Sequence, residues 1–334
     1  MNKDLPYLSI IIPCYNVADY IPMTIQSLSQ LNDAEDCEFI FINDGSTDDT
    51  LKLIESFAKK DKRVILIDQK NQGVSVARNH ALQIATGKYV LCLDGDDFLV
   101  PETIAIIRNH IASSDVLLAP CFTVQEYLSP NLQKIEISEG IYSIDQFYAK
   151  CKVFPTAPKL VYRTSIIKRN QLIFDPTIKS GEVYTFTVDF FKYARYISVT
   201  HSGFYNYVMR STSATHMPNF KADLSVLKIL DHFTDIEQSW SQEPSFMLTA
   251  LKMVMSFTYN KYSKLGLLNT QAIETIDSVL HHTGFKTLLH SIPTNEIDFK
   301  HRIFIQYLRA LPPKFGYKLC TYAIKLMKNR VFLA

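Results

Sequence analysis

The stretch YVLCLDGDDF, residues 89–98, decides how the first half of this chain is interpreted. Its five leading residues are uncharged and apolar, which is typical of a strand that is buried on both faces. Three aspartates follow within the next four positions, and Asp and Gly are ordinary turn residues. A divalent cation is the alternative to a solvated turn, because such a cation needs clustered oxygen ligands. The surrounding sequence has to distinguish the two.

The same alternation of apolar runs and helical patterns extends over residues 8–119. Five strand-like runs are separated by helical patterns, namely LSIIIP (8–13), EFIFIN (38–43), RVILID (63–68), KYVLCLD (88–94) and DVLLAP (115–120). This order predicts an α/β fold with a mostly parallel sheet covered on both faces. Ligands of such sheets bind at the carboxyl ends of the strands, where Tyr15, Asp44 and Asp94 begin polar clusters. The placement favours a ligand site over a surface turn.

The composition is that of a globular protein. The chain has 334 residues, of which 47% are hydrophobic and 20% charged, and a net charge of +2 exerts no general attraction on nucleic acid. Its six cysteines have neither CxxC nor zinc-site spacing, so we expect no disulfide framework and a reducing, cytoplasmic location. No apolar run reaches the roughly 18 residues of a spanning helix, and the N-terminal apolar stretch is too short for a signal peptide.

The pattern changes twice along the chain. After residue 120 it loosens into short strands at 122–128, 134–138 and 204–210 and short helices at 143–150 and 182–194. From about residue 220 helical periodicity dominates. The sequence therefore predicts a catalytic domain over residues 1–218, with halves at 1–120 and 121–218, and a helical region over residues 219–334.

Four segments at strand ends carry a family resemblance in combination: SIIIPCYN (9–16), INDGSTDDT (42–50), NQGVSVARNHAL (71–82) and YVLCLDGDDF (89–98). With these the sequence resembles the family 2 glycosyltransferases, closely over about the first 110 residues and weakly over about another 100. The resemblance implies the GT-A fold, a Rossmann-like domain that binds a nucleotide-sugar, here with a C-terminal helical region. It also implies transfer of a sugar in the synthesis of bacterial cell-surface polysaccharide, such as capsule or lipopolysaccharide.

The DGDD segment supplies the predicted metal ligands. Asp94 and Asp96 are two positions apart in an extended stretch, so both carboxylates can point the same way past Gly95. Two carboxylates and diphosphate oxygens suit Mg²⁺ or Mn²⁺, and the resemblance implies this role for both aspartates. Asp97 is either a further acid of the site or the cap of the following turn.

The nucleotide contacts follow from the ends of other strands. Asp44 only accepts hydrogen bonds, which suits the N3–H of uracil, and the resemblance implies that contact and hence a UDP-sugar donor. A GDP-sugar stays open, as does a mere turn role for Asp44. The resemblance also places a further set of residues beside the donor, together with Asp94: Pro13, Tyr15, Arg78, Gly95 and Arg210. For Arg78 the alternative is a solvated arginine on a helix.

The expected catalytic base is where this sequence departs from the family. Relatives carry a Glu-Asp pair with an aromatic residue three positions later, and the aspartate deprotonates the acceptor hydroxyl. In GEVYTF, Glu182 and Phe186 keep the pattern, but Val183 occupies the aspartate position. We favour Glu182 as the base of an inverting transfer, with Asp189 two helical turns further on as an alternative. A non-catalytic module that binds nucleotide-sugars or glycans and has lost its base is the third possibility.

The C-terminal segment 299–334 is basic and amphipathic. It has no Asp or Glu, and its eight basic residues are Lys300, Arg302, Arg309, Lys314, Lys318, Lys325, Lys328 and Arg330. Apolar residues at helical spacing between them predict a helix on an anionic membrane surface. The alternative is a helix packed on the protein with a solvated basic face. A peripheral seat on the cytoplasmic side of the plasma membrane would suit a glycan or lipid-linked acceptor; without an aromatic stacking platform, no nucleic acid is expected.

Overall fold

The computed structural model describes residues 5–125, 131–132, 135–150, 160–209, 219, 223–255, 270–293, 295, 302, 305–306 and 309. Strands in this part are β1 (Leu8–Cys14), β2 (Cys37–Asp44), β3 (Val64–Gln69), β4 (Tyr89–Cys92), β5 (Phe98–Leu99), β6 (Val116–Leu118), β7 (Cys121–Gln125), β8 (Asn131–Leu132), β9 (Gly140–Ser143), β10 (Leu160–Arg163), β11 (Tyr196–Val199) and β12 (Tyr205–Met209). Helices are α1 (Ile21–Ser29), α2 (Thr50–Ala58), α3 (Val74–Ile84), α4 (Thr103–Ile111), α5 (Ile144–Lys150), α6 (Thr164–Arg169), α7 (Glu182–Phe191), α8 (Ser225–Thr234), α9 (Pro244–Met255), α10 (Thr270–His281) and α11 (Thr283–Ser291).

The main sheet has the strand order β3-β2-β1-β4-β10-β6-β11-β9. Strands β3, β2, β1 and β4 are mutually parallel, and β6 is parallel to β11. Strand β10 is antiparallel to both of its neighbours, and β9 is antiparallel to β11 at the edge. The predicted α/β fold with a mostly parallel sheet is confirmed.

The core lies around the centre of the parallel strands. Ile10 of β1 pairs in register with Phe39 of β2 and with Leu91 of β4, and all three side chains are 0% exposed. Strands buried on both faces need such apolar runs, because helices cover the sheet above and below. Burying one side chain of this size contributes roughly 1.5–3 kcal/mol.

A second, four-stranded sheet has the order β5-β12-β7-β8. Strand β5 begins directly after the DGDD segment, and β12 pairs with it antiparallel and with β7 in parallel. The turn that carries the predicted metal ligands is therefore attached to a strand that lies about 110 residues later in the chain.

The structure differs from the sequence-based prediction at one predicted strand and adds a strand that was not predicted. Residues 135–138 of the predicted strand 134–138 are not a strand, and β9 follows instead at Gly140–Ser143. Strand β10 was not predicted, because its four-residue run is short and isolated in the sequence. Helix α2 begins at Thr50, and the preceding residues Ser46 and Thr47 hydrogen-bond to Asn16 in the loop after β1.

The chain divides into two compact units. The first comprises the described residues within Met1–Phe147, Pro155–Pro176 and Glu182–Ser213, and the second those within Tyr148–Phe154, Thr177–Gly181 and Ala214–Ala334. The predicted boundary at residues 218/219 stays a prediction. Among the described residues no helix has the length and apolar character needed to cross a membrane.

The second unit contains helices α8 to α11. Most of the predicted basic helix lies outside the described residues. Arg309 is described, and its guanidinium donates hydrogen bonds to the carbonyls of Leu289 and Ile292 at the end of α11, at 2.8 and 2.6 Å from Nη2. Arg309 of the basic segment is therefore engaged within the protein.

Candidate active site

The carboxyl ends of β1, β2 and β4 meet at one edge of the main sheet. Cys14 at the end of β1 pairs with Asn43, and Ile11 pairs with Cys92. The chain segments that leave these strands, each with a predicted site residue, therefore start side by side. The pairing register of the sheet alone therefore brings together the segments that carry Tyr15, Asp44 and Asp94.

Hydrogen bonds tie the loop after β1 to the loop after β2. The side-chain oxygen of Asn16 accepts from the Thr47 N–H at 2.8 Å, and the Asn16 N–H donates to Ser46 Oγ at 3.0 Å. Pro13 is half-buried at the end of β1, whereas the Tyr15 side chain is 50% exposed. The arrangement leaves the Tyr15 ring available to a planar ligand, as its predicted contact with the nucleotide requires.

Asp44 is buried at the end of β2 with only 3% of its surface exposed. Its Oδ1 accepts from Gln69 Nε2 at 2.7 Å and from the Gln72 N–H at 2.9 Å, and its Oδ2 accepts from the Gly73 N–H at 2.8 Å. The carboxylate thus holds the start of α3, where a negative charge is favourable. These bonds favour a structural role, and the contact with a nucleobase stays a prediction.

The DGDD turn is clamped against β1 and α1. A Cβ atom at Gly95 would lie 3.0 Å from Cys14 Sγ and 3.2 Å from the Pro13 carbonyl oxygen, so a side chain there would force these neighbours to shift. The Thr24 hydroxyl of α1 donates to the carbonyls of Gly95 and Asp97, at 3.0 and 2.8 Å. Gly95 therefore sets the turn in place and is itself buried.

Asp97 attaches the turn to the second sheet. It is 1% exposed, its Oδ2 accepts from the Tyr205 hydroxyl at 2.6 Å, and its Oδ1 accepts from the Val208 N–H at 2.8 Å. Burial and, next, the negative charge of Asp94 raise the pKa of Asp97 to about 8. The side chain faces β12, so the interpretation of Asp97 as a turn cap is wrong.

Asp94 and Asp96 remain as candidate cation ligands. The Asp94 side chain is 33% exposed, and its Oδ1 accepts from Arg78, whereas Oδ2 accepts no hydrogen bond from the described residues. Asp96 is partly exposed on the same turn. Two carboxylates suit Mn²⁺ or Mg²⁺ when substrate phosphates complete the coordination. No group of three or more His, Cys, Asp or Glu residues in the described ranges forms a metal site by itself, so such phosphates would be required.

Arg78 of α3 joins two acids that are distant in sequence. Its Nη1 donates to Glu182 Oε1 at 2.6 Å and its Nη2 to Asp94 Oδ1 at 2.8 Å, with only 6% of its side chain exposed. Burial would lower the pKa of Arg78, but the two carboxylates outweigh burial and raise it above the ordinary value. The alternative of a solvated helix arginine is wrong.

Helix α7 begins at Glu182 and so brings its carboxylate to Arg78. Asp189 follows seven residues later, about 10 Å along the helix axis, and its carboxylate pairs with Lys192 at 2.7 Å. The structure therefore brings Glu182, and not Asp189, together with Arg78 and Asp94. The predicted site residue Arg210 lies outside the described residues.

Comparison with known proteins identifies a domain within the N-terminal part of the chain. Residues 9–170 match the family model for "Glycosyl transferase family 2". These residues form a family 2 glycosyltransferase domain. The match includes all four of the strand-end segments whose geometry is given above, those around Tyr15, Asp44, Arg78 and Asp94.

Relatives of this family 2 glycosyltransferase domain occur in bacteria. The uncharacterized glycosyltransferase EpsJ of Bacillus subtilis (strain 168) is 28% identical over 226 residues, which span 64% of this chain and 64% of EpsJ. Poly(ribitol-phosphate) beta-N-acetylglucosaminyltransferase TarS of Staphylococcus aureus (strain Mu50 / ATCC 700699) is 30% identical over 208 residues, but these cover only 35% of TarS. The chain thus matches less than two thirds of the length of either relative.

Solved structures confirm the predicted GT-A fold. The crystal structure of S. aureus TarS 1-349 in complex with UDP-GlcNAc gives a TM-score of 0.72 at 21% identity, over 98% of this chain and 93% of that one. The mannosyltransferase PcManGT from Pyrobaculum calidifontis in complex with GDP-Man and Mn²⁺ gives a TM-score of 0.53 at 14% identity, over 85% and 83% of the two chains.

Two residues that shape this site, Phe174 and Tyr205, were not found from the sequence. Phe174 lies under the Arg78 guanidinium at 5.3 Å, and Tyr205 accepts from the Asp94 N–H at 3.1 Å. Strand alternation in FYNYVMR indicates that Tyr205 shares a face with Tyr207, but not which side chain it meets. Phe174 lies in a loop between α6 and α7, and no periodic pattern marks it.

Proposed function

We propose that this protein is an inverting, metal-dependent glycosyltransferase that moves a sugar from a nucleotide-sugar to a hydroxyl of a glycan or lipid-linked acceptor. A UDP-sugar is the favoured donor, and the product would be part of a bacterial cell-surface polysaccharide. The match to relatives covers only part of their length. The reaction, donor and acceptor of this chain are therefore proposed from its own residues and do not follow from the match alone.

The observation that carries the proposal is the convergence of two acids on one guanidinium. Asp94 belongs to the segment predicted to hold the donor diphosphate, and Glu182 is the favoured catalytic base. Both bond Arg78, at 2.8 and 2.6 Å. The group that would remove the acceptor proton and the group that would hold the leaving nucleotide are therefore neighbours, as a single displacement requires.

The chemistry follows from these positions. The acceptor oxygen attacks the anomeric carbon of the donor while its proton passes to Glu182, and the bond to the diphosphate breaks with its electron pair on the leaving oxygen. Asp94 and Asp96 would hold Mn²⁺ or Mg²⁺, which stabilises the negative charge of a departing diphosphate when bound. One displacement from the face opposite the diphosphate inverts the anomeric configuration.

The identity of the donor rests on neighbours and on the predicted base contact. One structural neighbour binds UDP-GlcNAc and another binds GDP-Man with Mn²⁺. The poly(ribitol-phosphate) named for TarS supports an acceptor that is a cell-surface polymer. An anionic membrane surface as a partner of residues 299–334 is part of the proposal, and removal of these residues should reduce sedimentation with anionic liposomes.

Glu182→Gln tests the catalytic assignment. The amide keeps the size of the side chain and its hydrogen bond from Arg78 but cannot take a proton, so kcat should fall by about 10²–10⁴-fold. Nucleotide affinity should change little, which titration with UDP measures. Asp189→Asn is the control and should keep kcat within about threefold. Turnover near the normal value in Glu182→Gln would remove Glu182 from the role.

A second candidate function is a binding module without catalysis. Val183 at the position of the family's aspartate favours it, because the usual base is missing. The two functions differ in one assay, in which a panel of nucleotide-sugars is incubated with Mn²⁺ and a glycan acceptor. Nucleotide release and sugar transfer support the enzyme, and saturable binding without nucleotide release supports the module.

A further inference from the structure

Arg78 engages one oxygen of each of its two carboxylate partners. Glu182 Oε1 accepts from Nη1, while Glu182 Oε2 accepts no hydrogen bond from the described residues. The sequence separations of Arg78 from Glu182 and Asp94 are 104 and 16 residues. One guanidinium thus fixes the start of α7 against the end of β4, and it leaves one oxygen of Glu182 available.

The orientation of the guanidinium is itself fixed. The Phe174 ring lies 5.3 Å from its central carbon and stacks on Phe186 of α7, with ring centroids 4.0 Å apart and an angle of 9°. Asn79, next to Arg78 on α3, donates to the Phe174 carbonyl and accepts from the Phe174 N–H, both at 2.8 Å. The platform under Arg78 is therefore held by both α3 and α7.

This orientation leaves one polar atom of Arg78 unsatisfied. Its Nε is buried and has no hydrogen-bond partner among the residues that the structure describes, and an unpaired buried donor of this kind costs about 1–3 kcal/mol. The side chain therefore adopts the one placement in which both terminal nitrogens reach carboxylates. A lysine, with a single ammonium group on a flexible stem, cannot reproduce that fork.

We propose that Arg78 is a positioning residue for the base, distinct from its predicted contact with the nucleotide. The inference rests on the proposed function. By engaging Oε1, Arg78 holds the Glu182 carboxylate in one orientation and presents Oε2 to the acceptor hydroxyl. Arg78 itself takes no proton. It acts through Glu182, and this compensates for the missing aspartate at position 183.

Arg78→Lys tests the inference through the separation of kcat from KM. Because a small misplacement of a catalytic group costs about 100-fold in rate, kcat at saturating donor should fall by about that factor. If Arg78 only bound the nucleotide, the substitution would instead raise the KM for the donor and leave kcat unchanged. Arg163→Lys is the matched control, since Arg163 pairs with Asp115 at 3.0 Å outside the site; its kcat should stay within about threefold.

The double variant Arg78→Lys/Glu182→Gln gives the second readout. If Arg78 acts through Glu182, the double variant should have about the kcat of Glu182→Gln alone, because there is no base left to orient. Losses that multiply, or a kcat of Arg78→Lys within about threefold of normal, would overturn the positioning role.

A further variant keeps the inference testable should Arg78→Lys not fold. Phe174→Leu removes the ring under the guanidinium and should lower kcat by about tenfold with unchanged affinity for UDP; unchanged kcat would overturn the inference. A result against the proposed function can be told apart from a result against the positioning role. The unsubstituted protein would then release no nucleotide from any nucleotide-sugar, and the positioning role would fall with it.

Discussion

The pH dependence of stability should carry the signature of Asp97. This carboxyl group lies between the DGDD turn and β12, and its pKa is raised to about 8 in the folded protein. In an unfolded chain an aspartate titrates near 3.9. Between these values the folded state keeps the proton and the unfolded state has lost it. Unfolding then releases a proton, so the free energy of unfolding must fall as the pH rises.

The size of the effect follows from the two pKa values. Relative to a group whose pKa does not change, Asp97 lowers the free energy of unfolding by about 1–2 kcal/mol at pH 5 and by about 5–6 kcal/mol at pH 9. Asp97→Asn mimics the protonated form, because its amide can still donate to the Tyr205 hydroxyl while its oxygen accepts from Val208. The free energy of unfolding of the variant, relative to that of the unsubstituted protein, should therefore rise by about 4 kcal/mol from pH 5 to pH 9.

Equilibrium unfolding in urea at intervals of one pH unit measures this gain, with a chelator present so that no cation contributes. Asp61→Asn is the control. Its hydrogen bond with Arg63 lowers the pKa of Asp61, so this carboxylate is ionised in both states above pH 5 and the effect of its loss should be constant. A difference between Asp97→Asn and the unsubstituted protein that stays flat within about 1 kcal/mol from pH 5 to pH 9 would refute the reasoning.

Three further substitutions probe how the site is held, each by the urea concentration at half-unfolding. Asp44→Asn should lower the free energy of unfolding by about 1–3 kcal/mol, because one oxygen facing the donors at the start of α3 becomes an amide; an unchanged midpoint would show that these hydrogen bonds do not hold the helix. Thr24→Val keeps the shape and removes the donor to two carbonyls of the DGDD turn, for an expected loss of about 1–2 kcal/mol, and a more stable variant would contradict that clamp. Gly45→Ala should cost about 2 kcal/mol or more, because Gly45 has φ +70 and a Cβ would lie 2.6 Å from the Asn71 nitrogen; a neutral result would contradict the close approach.

The sequence predicts the parallel part of the fold because strand burial there leaves a local pattern. Runs such as LSIIIP and EFIFIN are apolar on both faces, and they can only lie in a sheet that is covered on both sides. The edge at which Tyr15, Asp44 and Asp94 leave their strands follows from that topology. Strand β10 could not be predicted in this way, because four residues are too few to show a pattern of hydrophobic residues.

The side-chain contacts of the site could not be predicted in the same way. Glu182 and Arg78 are separated by 104 residues, and nothing local to either residue indicates a pairing. The burial of Asp97 depends on Tyr205, which reaches it only through the pairing of β5 with β12. A charged residue in a turn is exposed by default, so the sequence leaves Asp97 open between a further acid of the site and a turn cap and does not indicate its burial.

The most direct test of the central claim measures ligand-induced stability with the intact protein. A ligand that binds only the folded state at 100 times its Kd raises the free energy of unfolding by about 2.7 kcal/mol. UDP together with Mn²⁺ should raise the unfolding temperature, chelation of the metal should reverse most of the rise, and Asp94→Asn/Asp96→Asn should abolish its metal-dependent part. An unfolding temperature that UDP with Mn²⁺ leaves unchanged in the unsubstituted protein, with GDP and Mn²⁺ equally inert, would contradict the account.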